Sequence, residues 1–130
     1  VKFISGMSDD DITRAYAEAT MVISPSVYVC FGFPAGEAMS CGAPVIATTG
    51  GSLPEVVGDA GVIVPHSNPD ALAGAIADLL DNPAKRDELG RKARQRVLDH
   101  FKWERTARQV VDIYRQAMQD ADNQSRQTGA

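Results

Sequence analysis

Four short apolar runs rich in β-branched residues punctuate the first half of the chain: "VKFIS" (1–5), "MVIS" (21–24), "PVIAT" (44–48) and "GVIVP" (61–65). They are continuous rather than alternating, which suits strands covered on both faces. Between and after them, apolar positions recur at helical spacing. Ser8 with Asp11 forms a capping box ahead of "DITRAYAEA", which predicts a helix over 9–18. Asn68-Pro69 and Asn82-Pro83 each read as an N-cap followed by proline at the first helical position. Leu72, Ile76, Leu79 and Leu80 form one apolar stripe. Trp103, Ala107, Val110, Val111, Tyr114, Ala117 and Met118 form another, so Trp103 and Tyr114 are expected in the core. Strand runs alternating with helical ones specify an α/β domain with a mainly parallel sheet of about four strands.

Length and charge narrow the picture. The 130 residues, 44% hydrophobic, suffice for one core and not for two. The formal charge of −4 gives no basic field for nucleic acid, so no nucleic-acid partner is expected. Charge is uneven: only Lys2 and Arg14 are basic before residue 85, against ten acids, and eleven basic residues follow. That later cluster reads as solvated helix faces. Cys30 and Cys41 are expected as free thiols, and neither has a partner at zinc-ligand spacing. His66 and His100 are isolated, and no metal site is expected. No apolar stretch approaches the ~18–20 residues of a membrane span. The chain opens within an apolar run, which reads as a segment of something longer.

The chemistry concentrates in "SPSVYVCFGFPAGEAMSCGAPVIATTGG" (24–51). Ligands of open α/β sheets sit beyond the carboxyl ends of strands, and this segment runs strand, loop, helix start. Gly32 lets a backbone approach closely. Pro34 suits the first helical position, leaving amides around Ala35 to Glu37 to face an anion such as phosphate. Gly50-Gly51 makes a second permissive loop at the same edge. Glu37, expected in the first turn, either complements the helix dipole or accepts hydrogen bonds from a sugar diol. Ser24 and Ser26 serve equally as ligand donors or as turn formers, and no Ser–His–acid triad is supported.

These residues, with "SLPEVVGDAGVIV" and "FKWE", closely resemble the C-terminal half of retaining sugar-nucleotide glycosyltransferases of the GT-B fold, from "VKFISG" to about Ala117. The resemblance implies a Rossmann-like three-layer donor domain over 1–120, C-terminal helices packed on its sheet, and a polar flexible tail over 121–130. It implies no cofactor, a nucleotide-diphosphate sugar such as a UDP- or GDP-hexose as substrate, and an acceptor glycan, lipid or small molecule held by a separate N-terminal domain. It implies a cytoplasmic enzyme, peripheral at the inner membrane face in a full-length parent. By position, Glu37 would hold the donor ribose, Phe31, Gly32 and Phe33 would lie against donor sugar and diphosphate, and Gly50, Gly51 and Ser52 would lie near the nucleotide. Glu55 matches a common glutamate that serves either binding or the start of a short helix.

The family pattern reads Pro-Ser-x-Tyr-Glu-Gly-Phe-Gly-x-Pro-x-x-Glu-Ala-Met, and this chain departs from it at two adjacent positions. Val29 stands where the pattern has its first glutamate, which contacts the donor hexose, and Cys30 stands where it has glycine. No catalytic residue is therefore assigned. The resembled six-stranded domain, ordered 3-2-1-4-5-6, would carry two further βα units ahead of this chain, and with them an Arg and a Lys for the leaving diphosphate. Without them, direct pairing of 1–5 with 21–24 is expected; otherwise the 21–24 edge is open to self-association. The leading reading is part of a hexosyltransferase, inactive alone. The alternative is a non-catalytic, degenerate or truncated nucleotide-binding or association module. A sugar-nucleotide epimerase fits "EAMSCGAPVIAT" less well.

Overall fold

The computed structural model describes residues 1–128, in two compact units that divide after Leu98. The first unit is α/β. Its sheet has three parallel strands, β1 (Val22–Ser24), β2 (Val45–Thr48) and β3 (Val62–Val64), in the order β1-β2-β3. Ile46 stands opposite Ile23 on one side and Val62 on the other. Helix α1 (Asp9–Glu18) precedes β1, α2 (Phe33–Ser40) joins β1 to β2, and α3 (Leu53–Val57) with a 3-10 turn (Gly58–Ala60) leads to β3. Helices α4 (Pro69–Asp81) and α5 (Pro83–His100) follow.

The sheet has one strand fewer than the apolar runs suggested. Residues 1–5 have no regular structure, and Val1, Phe3 and Ile4 are exposed. A strand needs a neighbouring ladder to satisfy its backbone, and these residues do not pair with β1. Closure onto the 21–24 edge does not occur, and β1 keeps one unpaired side.

β2 is buried along its whole length, as its unbroken apolar run requires. Ile46 packs with Val64, Leu79 and Leu89, flanked by Leu72 and Ile76 of α4. The two-residue period sends Val45 and Ala47 to the opposite face. There α2 and α3 supply Ala35, Ala38, Met39, Leu53, Val56 and Val57, all fully or almost fully buried. Three layers result, as expected. The α4 stripe holds except at Leu80, which is exposed.

The caps follow the sequence with one exception. Ser8 Oγ accepts from the Asp11 amide, and Asn68 Oδ1 accepts from the Ala71 amide at 3.0 Å. Asn82 does precede Pro83 at the start of α5, and its carbonyl accepts from the Arg86 amide at 3.1 Å, but its side-chain amide donates to the Asp78 carbonyl at 2.9 Å and so closes the end of α4.

The basic residues of α5 are more than a solvated face. Arg86 donates to the carbonyls of Leu79 and Leu80 at the end of α4. Arg94 donates to the Ser40 carbonyl at the end of α2, at 2.7 Å. Arg96 donates to the carbonyls of Glu55 and Val56 in α3, at 2.7 and 2.9 Å. The last carbonyls of a helix lack intrahelical partners and carry partial negative charge, so a guanidinium satisfies both needs. Three helices of the unit thus end on one helix's arginines.

The second unit carries α6 (Trp103–Thr128). Its helical period is as expected, but the apolar stripe is not core: Trp103 is 84% and Tyr114 65% exposed, and Val110, Val111 and Met118 are exposed too. A single helix has no second layer within its own unit to cover such a stripe. Residues 121–128 of the segment expected as a tail continue this helix, and residues 129–130 lie outside the described residues. No helix among the described residues is long and apolar enough to cross a membrane.

Candidate functional site

The loops leaving the carboxyl ends of β1 and β2 are bound to each other. Thr48, closing β2, is buried and donates its hydroxyl to the Ser26 carbonyl, while the Gly50 amide donates to Thr48 Oγ1 at 3.4 Å. The Ser52 amide donates to the Val29 carbonyl at 3.3 Å. This approach leaves no space for side chains. A Cβ on Gly50 would stand 2.2 Å from the Ser26 oxygen, and one on Gly51 would stand 2.1 Å from the Val29 oxygen. At Gly50 and Gly51 the position a side chain would occupy faces the neighbouring loop.

Gly32 turns the chain into α2. Its φ of 84° and ψ of 50° lie in the left-handed region that glycine adopts without strain. A Cβ there would stand 2.7 Å from Leu53 Cδ2. The starts of α2 and α3 therefore meet at Gly32 and Leu53, and this brings Val29, Phe31, Gly32, Phe33 and Gly50–Ser52 into one neighbourhood. Phe31 and Phe33 pack ring to ring, centroids 5.0 Å apart and planes at 50°, with Phe33 67% exposed.

The front of α2 differs from expectation in two details. Phe33 is its first residue and Pro34 its second, so Glu37 falls in the second turn and no acid occupies the first. The amides of Ala35 and Gly36, expected to face outward, both donate to the Gly32 carbonyl, at 3.0 and 3.2 Å. Gly32 is the N-cap, whose carbonyl accepts the first intrahelical bonds. The dipole-complement role of Glu37 is correspondingly weak, since that effect fades beyond the first turn.

Glu37 is exposed. Its Oε2 lies 3.4 Å from the hydroxyl of Tyr16 on α1. Burial, then the Glu37 charge and hydrogen bond, then Cys41, push the Tyr16 phenol above its ordinary value of 10.0. Sequence reasoning passed over Tyr16; its one signal was a polar-tipped aromatic within the apolar face of the first helical pattern. Thr48 was also missed, although a threonine closing an apolar strand before Gly-Gly was visible.

Ser52 immediately precedes α3 and makes no capping bond. Its φ of −84° and ψ of 0° are helical, whereas a capping serine is extended. Ser52 Oγ is buried and has no hydrogen-bond partner among the described residues. A buried hydroxyl in that state costs about 1–3 kcal/mol. Val29 is half-buried, its Cγ2 3.5 Å from where a Gly32 Cβ would stand. Cys30 is exposed, Cys41 half-buried, and both are free. Glu55 is exposed in the first turn of α3, where an acid favours the helix start.

A cavity of about 490 Å³, lined by Thr20, Pro44, Arg86, Arg91 and Arg94 among others, lies at the amino ends of β1 and β2. That is the opposite edge from the glycine loops. No group of three or more His, Cys, Asp or Glu among the described residues is arranged to hold a metal.

Residues 1–96 match the family described as glycosyl transferases group 1. The chain belongs to that family. It is 38% identical over 117 residues to the MMP alpha-(1->4)-mannosyltransferase of Mycolicibacterium hassiacum, covering 88% of this chain and 28% of that protein. Sucrose-phosphate synthase from Thermosynechococcus elongatus superposes with a TM-score of 0.76 at 39% identity, over 89% of this chain and 30% of that one. Anabaena HepE, solved in complex with UDP, shares the fold at a TM-score of 0.76 and 24% identity, over 82% of this chain and 30% of that one. The chain thus spans about 28–30% of the length of these proteins. They place it with the GT-B glycosyltransferases, and its α/β architecture agrees.

Proposed function

We propose that the loops at residues 29–37 and 50–52 form the donor side of a hexosyltransferase that takes hexose from a nucleotide-diphosphate sugar to an acceptor hydroxyl. The observation that carries this reading is the meeting of the two loops at Gly32 and Leu53, with the unpartnered Ser52 hydroxyl beside them. In this reading Glu37 accepts from the ribose hydroxyls. Phe31, Gly32 and Phe33 lie against donor sugar and diphosphate, and Gly50, Gly51 and Ser52 shape the nucleotide side. UDP bound to the HepE relative supports a nucleoside diphosphate as the ligand class. No metal takes part in the proposal. A cytoplasmic location belongs to the same reading.

The chain alone binds donor without transferring sugar. Departure of a diphosphate builds negative charge that positioned cations must stabilise. Before residue 85 the only basic side chains are Lys2 and Arg14, and Arg86, Arg94 and Arg96 are engaged with helix carbonyls. The acceptor, whether glycan, lipid or small molecule, belongs to the part of the relatives this chain does not match. Titration of the 130-residue chain with UDP and GDP tests the reading. Binding that weakens in Glu37→Gln supports it, and absence of binding, or binding indifferent to Glu37, overturns it.

Val29 favours a second reading, a nucleotide-binding module that no longer engages the hexose. An aliphatic side chain packed at Gly32 offers no acceptor, a loss of about 1.5–3 kcal/mol for a sugar hydroxyl that met a carboxylate. The open side of β1 also supports self-association, which concentration-dependent sedimentation measures.

A further inference from the structure

We infer that Tyr16 is a positioning residue for the Glu37 carboxylate, holding it to receive a ribose diol. The inference rests on the donor-site reading above and adds a residue to it.

Glu37 is an exposed, three-torsion side chain on α2, and such a side chain is not oriented by packing. Tyr16 comes from another helix, 21 residues earlier, and its hydroxyl reaches Glu37 Oε2. The direction of the bond is fixed by chemistry. An ionised carboxylate only accepts, so the phenol donates. The burial and negative charge around Tyr16 keep that proton in place. With Oε2 engaged, Oε1 remains to accept from a ligand. The 3.4 Å separation is long for an O–H···O bond.

Among the described residues, the side-chain hydrogen bond of each is the one they make to each other. The side chain of Ser40, one turn on, turns to the Glu37 carbonyl rather than its carboxylate. Glu37 makes no ion pair with any described cation. A carboxylate held by one neutral donor keeps its full charge for hydroxyl ligands, which a salt bridge would partly neutralise.

The test is calorimetric titration of the wild-type chain, Tyr16→Phe, Glu37→Gln and the double variant. The probes are UDP and GDP, each against its 2′,3′-dideoxy counterpart. Removing the phenol hydroxyl leaves the ring in place, and circular dichroism confirms the fold. Expected is a weakening of about 3–10-fold for UDP or GDP in Tyr16→Phe, with little change for the dideoxy probes. The double variant should bind no more weakly than Glu37→Gln, because Tyr16 acts only through Glu37. Equal weakening for both kinds of probe would make Tyr16 a packing residue and overturn the inference alone. So would a normal Tyr16→Phe beside a weakened Glu37→Gln. A wild-type chain that binds neither nucleotide, or a Glu37→Gln that binds normally, overturns the donor-site reading and the inference with it.

Discussion

The guanidinium of Arg96 stands where a side chain on residue 58 would have to go: a Cβ on Gly58 would lie 2.6 Å from Arg96 Cζ. Gly58 has φ 56° and ψ −135°, a conformation that residues with a Cβ rarely adopt. Gly58→Ala therefore strains the backbone and displaces the arginine from the Glu55 and Val56 carbonyls. The expected loss is about 1–3 kcal/mol, read as a lower urea midpoint at unchanged slope. Arg96→Ala removes the same bonds, so the double variant should lose less than the two single losses added.

Gly50 and Gly51 should be intolerant for a different reason, the closeness of another backbone. A methyl at either position meets a carbonyl oxygen at 2.1–2.2 Å, so alanine there must push the 26–29 loop away. Both variants should lower stability and weaken nucleotide binding together. Gly74, inside α4 and with nothing within 4 Å of its Cβ position, is the contrast. Gly74→Ala should raise stability by about 0.5–1 kcal/mol, since helix propensity is the only quantity that changes. Thermal denaturation of the three variants side by side separates the two situations.

Much of this was legible in the chain. The continuous apolar runs at 44–48 and 61–65, the Ser8 and Asn68 caps and the α/β class depend on local chemistry, and each appears in the fold. The 1–5 strand failed because a strand is completed by a neighbour, which no local pattern supplies. Trp103 and Tyr114 failed likewise: spacing marks a face, and burial needs a partner layer. At the site, sequence named Gly32, Gly50 and Gly51 but not which way each lacks a side chain. It could not see Tyr16 beside Glu37, because a contact across 21 residues depends on how α1 packs on α2. The arginines of α5 read as a solvated face because their partners are carbonyls, which sequence does not distinguish.

The Tyr16 phenol offers a check independent of any ligand. Its pKa is raised by burial first, then by Glu37 and Cys41. A raised folded-state value means the folded chain keeps a proton that the unfolded chain releases. This contribution to stability is whole below the ordinary 10.0 and is lost as pH rises through the folded-state value. Glu37→Gln removes the second cause and leaves burial. The phenol should then titrate lower than in the wild type but still above its ordinary value. Alkaline absorbance titration, with Tyr16→Phe subtracted to remove Tyr28 and Tyr114, reads this directly. An unchanged curve would mean that the two side chains are not coupled.

Val29 is the position at which nucleotide and sugar recognition should separate. Its side chain is half-buried beside Gly32, and its carbonyl is held by the Ser52 amide, so the backbone is already fixed whatever side chain it bears. A glutamate there would start from the same Cβ and, being longer, would reach beyond the apolar contact that valine makes. Val29→Glu together with Cys30→Gly restores the resembled pattern and relieves the loop of a Cβ. If the donor hexose lies at this end of the loop, the double variant should prefer UDP-glucose over UDP, or GDP-mannose over GDP, by about 10–150-fold more than the wild type does, the factor equivalent to one charge-assisted hydrogen bond. Binding of UDP and GDP themselves should change little, because Glu37 and the 50–52 loop are untouched. A preference unchanged in a variant that still binds the nucleotides would put the hexose elsewhere and leave Val29 with a packing role only.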